Sequence, residues 1–344
     1  MMKSDSTPSP SPSPSVPKAA AQVLFQTIGP EEAGQRLDNY LLKWAKGVPK
    51  SHLYRIIRSG EVRVNKKRAE PTTRLIEGDL IRIPPVRLAA PDRGPAENAF
   101  KDQSRAQLYS AKMPILFEDE ALLIVDKPSG LAVHGGSGIS LGVIETLRMT
   151  RPELHFLELV HRLDRDTSGV LMLAKKRSAL VELHRQIREG LTDKRYYLVT
   201  HGQIALATPT VQLKFPLHKY LLANGERRVK VDPQGLPSHT SLRVTEIYER
   251  GEDRVSMAEA QLKTGRTHQI RVHLQKIGHP ILGDDKYGID DEDRRLKPKR
   301  LLLHAHLAGF IHPRTGEKMR IESPLPPDFT AFQKGFHPIK PETV

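Results

Sequence analysis

The 344-residue chain contains no cysteine. That excludes disulfides, thiolate nucleophiles, iron–sulfur clusters and cysteine-ligated structural zinc, and it agrees with a reducing cytoplasm. Aromatic residues are scarce, 5% of the chain with a single Trp. Long apolar stretches are missing as well. The longest uninterrupted aliphatic run is Ala121-Leu122-Leu123-Ile124-Val125, far short of the roughly 20 residues a bilayer helix requires, so no membrane partner is expected. The start, Met1 to Ser6, leads into Ser/Pro alternation without an apolar segment, which argues against a secretory signal. Acids are outnumbered, 40 Asp and Glu against 54 Lys and Arg, for a formal net charge of +14. A surplus of that size favours a polyanionic partner, nucleic acid foremost. The remainder, 38% hydrophobic and 27% charged, fits one large or two ordinary domains with proper cores.

Composition separates four regions. Residues 1–22 form a Ser/Pro tail that cannot bury enough apolar surface to order itself and reads as disordered. Residues 35–84 form a compact basic unit. Leu37, Tyr40, Leu41 and Trp44 follow helical spacing, Pro49 and Ser51 mark a turn with Ser51 as N-cap, and Leu53, Ile56 and Ile57 stripe a second helix ending at Ser59-Gly60. Alternation in Glu61–Asn65 and Asp79–Ile83, around a turn at Lys66-Lys67-Arg68, adds a small sheet. Residues 85–110 lack periodicity and read as a linker. Residues 111–338 are strand-rich, with a hairpin around Glu118-Asp119-Glu120, a buried strand over Gly169–Ala174 and a helix over Ser178–Glu189. Further strands are expected at Tyr196–Val199, Leu242–Tyr248 and Val255–Leu262. Successive strands without regular intervening helices indicate a mixed, mainly antiparallel α+β domain.

The segment Gln35–Pro84 holds twelve Lys or Arg against five acids, a net +7. Half of the chain's charge surplus thus sits in about a seventh of its length. Lys50, Arg55 and Arg58 share the second helix, and Arg63, Lys66, Lys67 and Arg68 the adjoining hairpin. Together they can present one positive face to a phosphate backbone; the bland alternative is a solvated charged surface. The order Arg36-Leu37-Asp38-Asn39-Tyr40-Leu41, Lys50-Ser51, Gly60–Asn65, Gly78-Asp79 resembles the S4 RNA-binding domain. That resemblance implies recognition of structured RNA by shape and phosphate contacts.

The sharpest chemical signal is His161-Arg162-Leu163-Asp164-Arg165-Asp166-Thr167-Ser168-Gly169, just before a buried strand. Carboxylates interleaved with arginines are expected to stay ionised at neutral pH, which suits a nucleophile or base; a structural ion-pair loop is an equal reading of this stretch alone. In Gly265-Arg266-Thr267-His268-Gln269-Ile270-Arg271-Val272-His273, polar–apolar alternation predicts a strand with Arg266 at its entry, Thr267, Gln269, Arg271 and His273 on one face, and His268 on the other. Tyr196 or Tyr197 can stack on a base, although core tyrosines are commoner. Three rival patterns are weaker. Gly138-Ile139-Ser140-Leu141-Gly142 fits a serine-hydrolase elbow in wording, but a glycine-rich loop precedes the serine where a strand should. Asp164 and Asp166 are too close along the chain to flank a glycosidic bond. His304 and His306 lack a third metal ligand at recognisable spacing.

His161–Gly169, Gly265–His273, Lys127-Pro128-Ser129-Gly130, Lys194 with Tyr196, and Arg300–Ala305 resemble the successive motifs of the RluA-type pseudouridine synthases over residues 35–335. Together with the S4-like unit and Val133–Gly138 they bring the chain close to the RluC branch. The resemblance implies Asp164 as catalytic aspartate, Arg266 as its paired arginine, and Tyr196 as the ring on the target uracil near the C5 proton. It also implies Arg162 as a holder of the flipped nucleotide, and it gives Asp166 no catalytic position. The implied activity is isomerisation of uridines in 23S, large-subunit, ribosomal RNA by a cytoplasmic monomer, with no cofactor and no metal. The C1′–N1 bond breaks, the base turns, and a bond to C5 forms, with Asp164 either adding covalently or removing the C2′ proton towards a glycal. The alternative function is a catalytically silent RNA-binding or ribosome-assembly factor.

Overall fold

Leu37 and Leu41 are fully buried and Tyr40 nearly so, as helical spacing requires of a stripe facing a core. The computed structural model describes residues 22–45, 47–86, 96–135, 141–205 and 210–339; the expected Ser/Pro tail up to residue 21 and Ser140 of the hydrolase-like pattern lie outside them. The chain divides into two compact units, Met1–Arg93 and Gly94–Val344. The first comprises β1 (Leu24–Thr27), α1 (Leu37–Trp44), α2 (Lys50–Arg58), β2 (Arg63–Val64), β3 (Lys67–Arg68) and β4 (Leu80–Ile83). Its sheet order is β1-β4-β2-β3. Leu37 and Leu41 of α1, Leu53, Ile56 and Ile57 of α2, and Ile81 and Ile83 of β4 make its core, each worth about 1.5–3 kcal/mol of burial. Asp38 is buried and ties α1 to α2, accepting from Arg36 at 2.7 Å and from the Tyr54 hydroxyl at 3.0 Å.

Two local readings change here. Pro49, not Ser51, is the N-cap residue of α2; its carbonyl accepts from the His52 and Leu53 amides at 3.0 and 3.2 Å, with no side-chain cap. The hairpin turn is Asn65-Lys66, both at positive φ, which puts Lys67 and Arg68 in β3. Asn65 tolerates that geometry and braces it by donating to Asp79 and accepting from the Leu80 amide.

The second unit runs α3 (Ala96–Ala111), β5 (Ile115–Glu118), β6 (Leu122–Lys127), α4 (Val143–Thr150), β7 (Glu158–Leu159), β8 (Ser168–Ala174), α5 (Arg177–Arg188), β9 (Asp193–His201) and β10 (Val211–Leu213). It continues with β11 (Leu217–Leu221), β12 (Arg227–Val231), β13 (Thr240–Arg250), β14 (Asp253–Leu262), α6 (Gln269–Lys276), α7 (Asp290–Leu296), β15 (Leu303–Ile311), β16 (Lys318–Glu322), α8 (Pro327–Gln333) and β17 (His337–Ile339). Helix α3 occupies ground expected to be linker. The central sheet follows β10-β13-β14-β9-β15-β8-β6-β5, with β16, β17 and β7 as side branches. It is antiparallel except for the β8–β15 pair, the mixed α+β arrangement expected. Period-two alternation sorts its side chains. Leu123, Val125, Leu171, Leu173 and Leu198 pack on one face; Leu122, Ile124, Val170 and Met172 pack on the other.

Gly169 is what lets β8 meet β15. Its φ is +110°, and a Cβ there would stand 2.2 Å from the Ala305 carbonyl oxygen. Only glycine permits both, and Leu163 of the loop before β8 packs in the same core as Leu198.

Candidate active site

That loop, residues 160–167, carries Asp164. Its turn closes with the Thr167 amide donating to the Asp164 carbonyl at 3.2 Å. Lys127, at the end of β6, has no exposed surface and clamps the turn from below. Its Nζ donates to the carbonyls of Pro128, Leu131 and Arg165 at 2.8, 2.8 and 2.9 Å. Ser129 Oγ donates to the Asp166 carbonyl at 2.6 Å. Burial pushes the Lys127 pKa down to about 7, against which three carbonyls meet all three hydrogens of the ammonium form. The Lys-Pro-Ser-Gly turn thus sets the height of the Asp164 backbone. Arg165 and Asp166 pair with each other at 3.1 Å, and neither lines the cavity.

Asp164 opens into a cavity of about 370 Å³, a size that accepts a small ligand. Arg162, Arg188, Lys194, Arg266 and Arg271 line it, with Asp164 as the single carboxylate among the lining residues. Tyr196, buried, forms part of the wall together with Leu163, Leu262 and Leu303. Lys194 and Tyr196 lie two residues apart on β9 and so share its face. Burial lowers the Lys194 pKa. Burial, then the Asp164 charge, raises that of Tyr196, so its phenol keeps its proton at neutral pH. His161 accepts the Met172 amide through Nε2 at 3.1 Å; loss of water, with Lys194 nearby, pushes its pKa down to about 4. It is a neutral ring.

The arginine beside Asp164 is Arg271. Its Nη1 stands 3.4 Å from Asp164 Oδ2, while Nε and Nη2 bond both oxygens of buried Asp284 at 2.7 and 2.6 Å. Burial opposes the guanidinium's charge, but Asp284, Asp164 and Asp285 outweigh it and push the pKa up. Arg266 lines the same cavity, yet its Nε donates to the Pro237 carbonyl at 3.2 Å and it makes no ion pair with Asp164. This corrects the expected pairing, and the cause is local. Residues 269–276 form helix α6, not a strand, so His268 and Arg271 meet on one side at i, i+3 and Arg266 stays in the preceding loop. Buried Gln269 starts the helix, accepting from the Arg266 amide and the Thr264 hydroxyl at 3.0 and 2.8 Å. Polar–apolar alternation hid a helical spacing that was present in Ile270, Leu274 and Ile277, all packed on the core.

The other sequence candidates are placed as follows. Arg162 is exposed at the cavity mouth. Lys50, Arg55, Arg58, Arg63, Lys66, Lys67 and Arg68 are all exposed on the first unit. His304 bonds Ser168 Oγ and His306 bonds Glu259; no cluster able to hold a metal occurs among the described residues. No helix of the described residues is long and apolar enough to cross a membrane.

The chain is 52% identical to the ribosomal large subunit pseudouridine synthase C of Pasteurella multocida, over 88% of its own length and 90% of that relative's. The protein of the same name from Escherichia coli is also 52% identical, over 87% and 92%. The chain belongs to the RNA pseudouridylate synthase family. The family's own model, RNA pseudouridylate synthase, matches residues 121–276, and an S4 domain model matches 35–81. Among solved structures, human RNA pseudouridylate synthase domain containing 1 superposes with a TM-score of 0.55 at 27% identity, covering 66% of this chain and 89% of that one. This pseudouridine synthase is therefore an isomerase with an S4 RNA-binding domain, as the motif order implied. A catalytically silent factor is not favoured.

Proposed function

We propose that this synthase converts specific uridines of large-subunit ribosomal RNA to pseudouridine, with Asp164 acting at the ribose–base centre. The observation that carries the reading is one carboxylate on a clamped turn, facing Arg271, inside a cationic cavity walled by a buried tyrosine. The target nucleotide leaves its stack at a cost of a few kcal/mol and enters that cavity. Tyr196 stacks on the uracil, and its protonated phenol sits near the C5 hydrogen. Arg162 and Arg266, both exposed and both lining the cavity, face the nucleotide's phosphates. Asp164 either adds to C1′ as the C1′–N1 bond breaks or takes the C2′ proton to release the uracil and leave a glycal. The uracil turns, C5 bonds to C1′ as the Asp164–C1′ bond breaks or the C2′ proton returns, the C5 proton leaves to solvent, and N1 takes up a proton. Isomerisation moves no electrons to an outside partner, so the reaction requires no redox cofactor. The proposal places the enzyme in the cytoplasm with its rRNA, working as a monomer.

Pseudouridine maps of large-subunit rRNA from cells with and without the gene test the substrate. Particular uridines are expected to stay unmodified in the mutant, and identical maps remove the reading. The S4-like unit is proposed to hold the RNA by phosphate contacts. Replacing Lys50, Arg55 and Arg58 by Gln is expected to weaken rRNA binding and to flatten its log–log salt dependence by about 0.7–0.9 for each phosphate no longer neutralised. An unchanged slope would discard that face.

A further inference from the structure

Tyr287 and His268 form a hydrogen-bonded pair that ends at the reacting carboxylate, and the proton directions along it can be worked out. Tyr287 is buried. Its Oη lies 3.0 Å from the Val229 amide nitrogen of β12 and 2.8 Å from His268 Nδ1. An amide can only donate, so Oη accepts from Val229; among the described residues Nδ1 is the acceptor that the buried hydroxyl has for its own hydrogen, and a buried O–H is paired rather than left unused. A neutral imidazole that accepts at Nδ1 carries its hydrogen on Nε2. Burial lowers the His268 pKa; the Arg271 and Lys286 charges act in the same direction, and Asp164 and Asp284 oppose them. The ring is therefore neutral, with a donor at Nε2. That nitrogen stands 3.9 Å from Asp164 Oδ2, one small movement from a hydrogen bond, as sites without substrate often are.

The backbone indicates that this placement has a cost. His268 adopts φ 52°, ψ 23° at the start of α6, a left-handed conformation that costs a residue other than Gly or Asn about 1–2 kcal/mol. Tyr287 is held firmly on its far side. The Arg271 guanidinium lies over its ring at 5.2 Å and that of Arg228, from β12, at 5.8 Å. The imidazole meets the same ring edge-on, at 5.6 Å and 70°.

We propose that His268 is a positioning residue for the isomerisation: Tyr287 fixes its hydrogen on Nε2, and His268 with Arg271 holds Asp164 Oδ2 from two sides, leaving Oδ1 to meet the ribose. The proposal rests on Asp164 being the reacting carboxylate. It predicts a defect in the chemical step without a defect in RNA binding.

Three variants of the full chain test it, assayed for single-turnover tritium release from rRNA carrying tritium at uridine C5, for rRNA affinity, and for melting temperature. His268→Asn relaxes the left-handed backbone but is too short to reach Asp164. His268→Gln restores an N–H donor at about the right reach. Tyr287→Phe removes the hydroxyl that sets the tautomer. His268→Asn is expected to slow the step roughly tenfold to a hundredfold, the range seen when groups orienting a metal ligand are lost. Most of that rate should return in His268→Gln, and Tyr287→Phe should fall between the two. RNA affinity should stay within about twofold in all three. His268→Asn at the wild-type rate overturns the proposal. So does a His268→Gln variant no faster than His268→Asn, or a rate loss that tracks melting temperature and RNA affinity across the set. Asp164→Asn run alongside separates the premises: if it is dead while His268→Asn turns over normally, only the positioning role fails, and if it is active, the assignment of Asp164 fails and the role with it.

Discussion

Asp164→Asn is expected to abolish tritium release from C5-labelled uridine RNA, a loss of at least about 10⁴-fold, with rRNA affinity close to wild type. The carboxamide fills the same space but can neither attack the sugar nor take a proton from it, and losing the reacting group of an enzyme removes nearly all of its acceleration. The fold has no reason to fail. Arg271 keeps its two bonds to Asp284 and its ion pair with Asp285, so no buried cation is stranded. The turn is held by backbone carbonyls bonded to Lys127 and Ser129, which the substitution leaves alone. The measurement is single-turnover tritium release beside a filter-binding titration. Residual turnover within a hundredfold of wild type would move the chemistry to another group.

Arg271 and Arg266 should separate equally clearly. Arg271→Met strands Asp284, whose side chain has no exposed surface, and an uncompensated buried charge costs about 3–5 kcal/mol. A lower melting temperature, or failure to fold, is the expected result. Arg271→Lys keeps a charge but cannot bridge Asp284 and Asp164 together, because an ammonium lacks the planar fork of the guanidinium. It is expected to fold and to lose roughly 10²-fold in the chemical step, of the order of one preorganised charge interaction. Arg266→Ala removes an exposed side chain bonded to a single carbonyl. It should leave melting unchanged and act on RNA binding. Loss of the chemical step in Arg266→Ala, with Arg271→Lys still active, would restore the pairing that motif order implied.

These two arginines show where sequence reading stopped. The nonapeptide around Asp164 announced itself because charged residues immediately before an all-apolar strand are uncommon. The α1 and α2 stripes and the buried run of β8 were legible because one face or both faces of each element are buried, and burial writes its period into the residues. The segment 265–273 carries two periods at once. Ile270 and Val272 obey two-residue alternation, while Ile270, Leu274 and Ile277 obey the helix, and all of α6 from Gln269 to Leu274 is buried. A helix buried nearly all round loses the polar face that would have identified it. Helix α3 was missed for the opposite reason, its mixture of Ala, Ser, Gln and charges showing no apolar stripe.

The basic character of the S4 domain and the α+β class were determined by the sequence, because each depends on residue type and on spacing within one segment; Asp164 was singled out from Asp166 by the resemblance of its motif, since spacing alone treats the two alike. The partner of Asp164, the clamp of Lys127 beneath it and the hydrogen bond between His268 and Tyr287 were decided by the tertiary structure. Each is a distance between residues far apart along the chain, 164 to 271, 127 to 165 and 268 to 287, and local spacing holds no record of such distances. They arise only when the sheet sets β8 and β9 on either side of β15 and α6 packs Ile270 and Leu274 into the core they share.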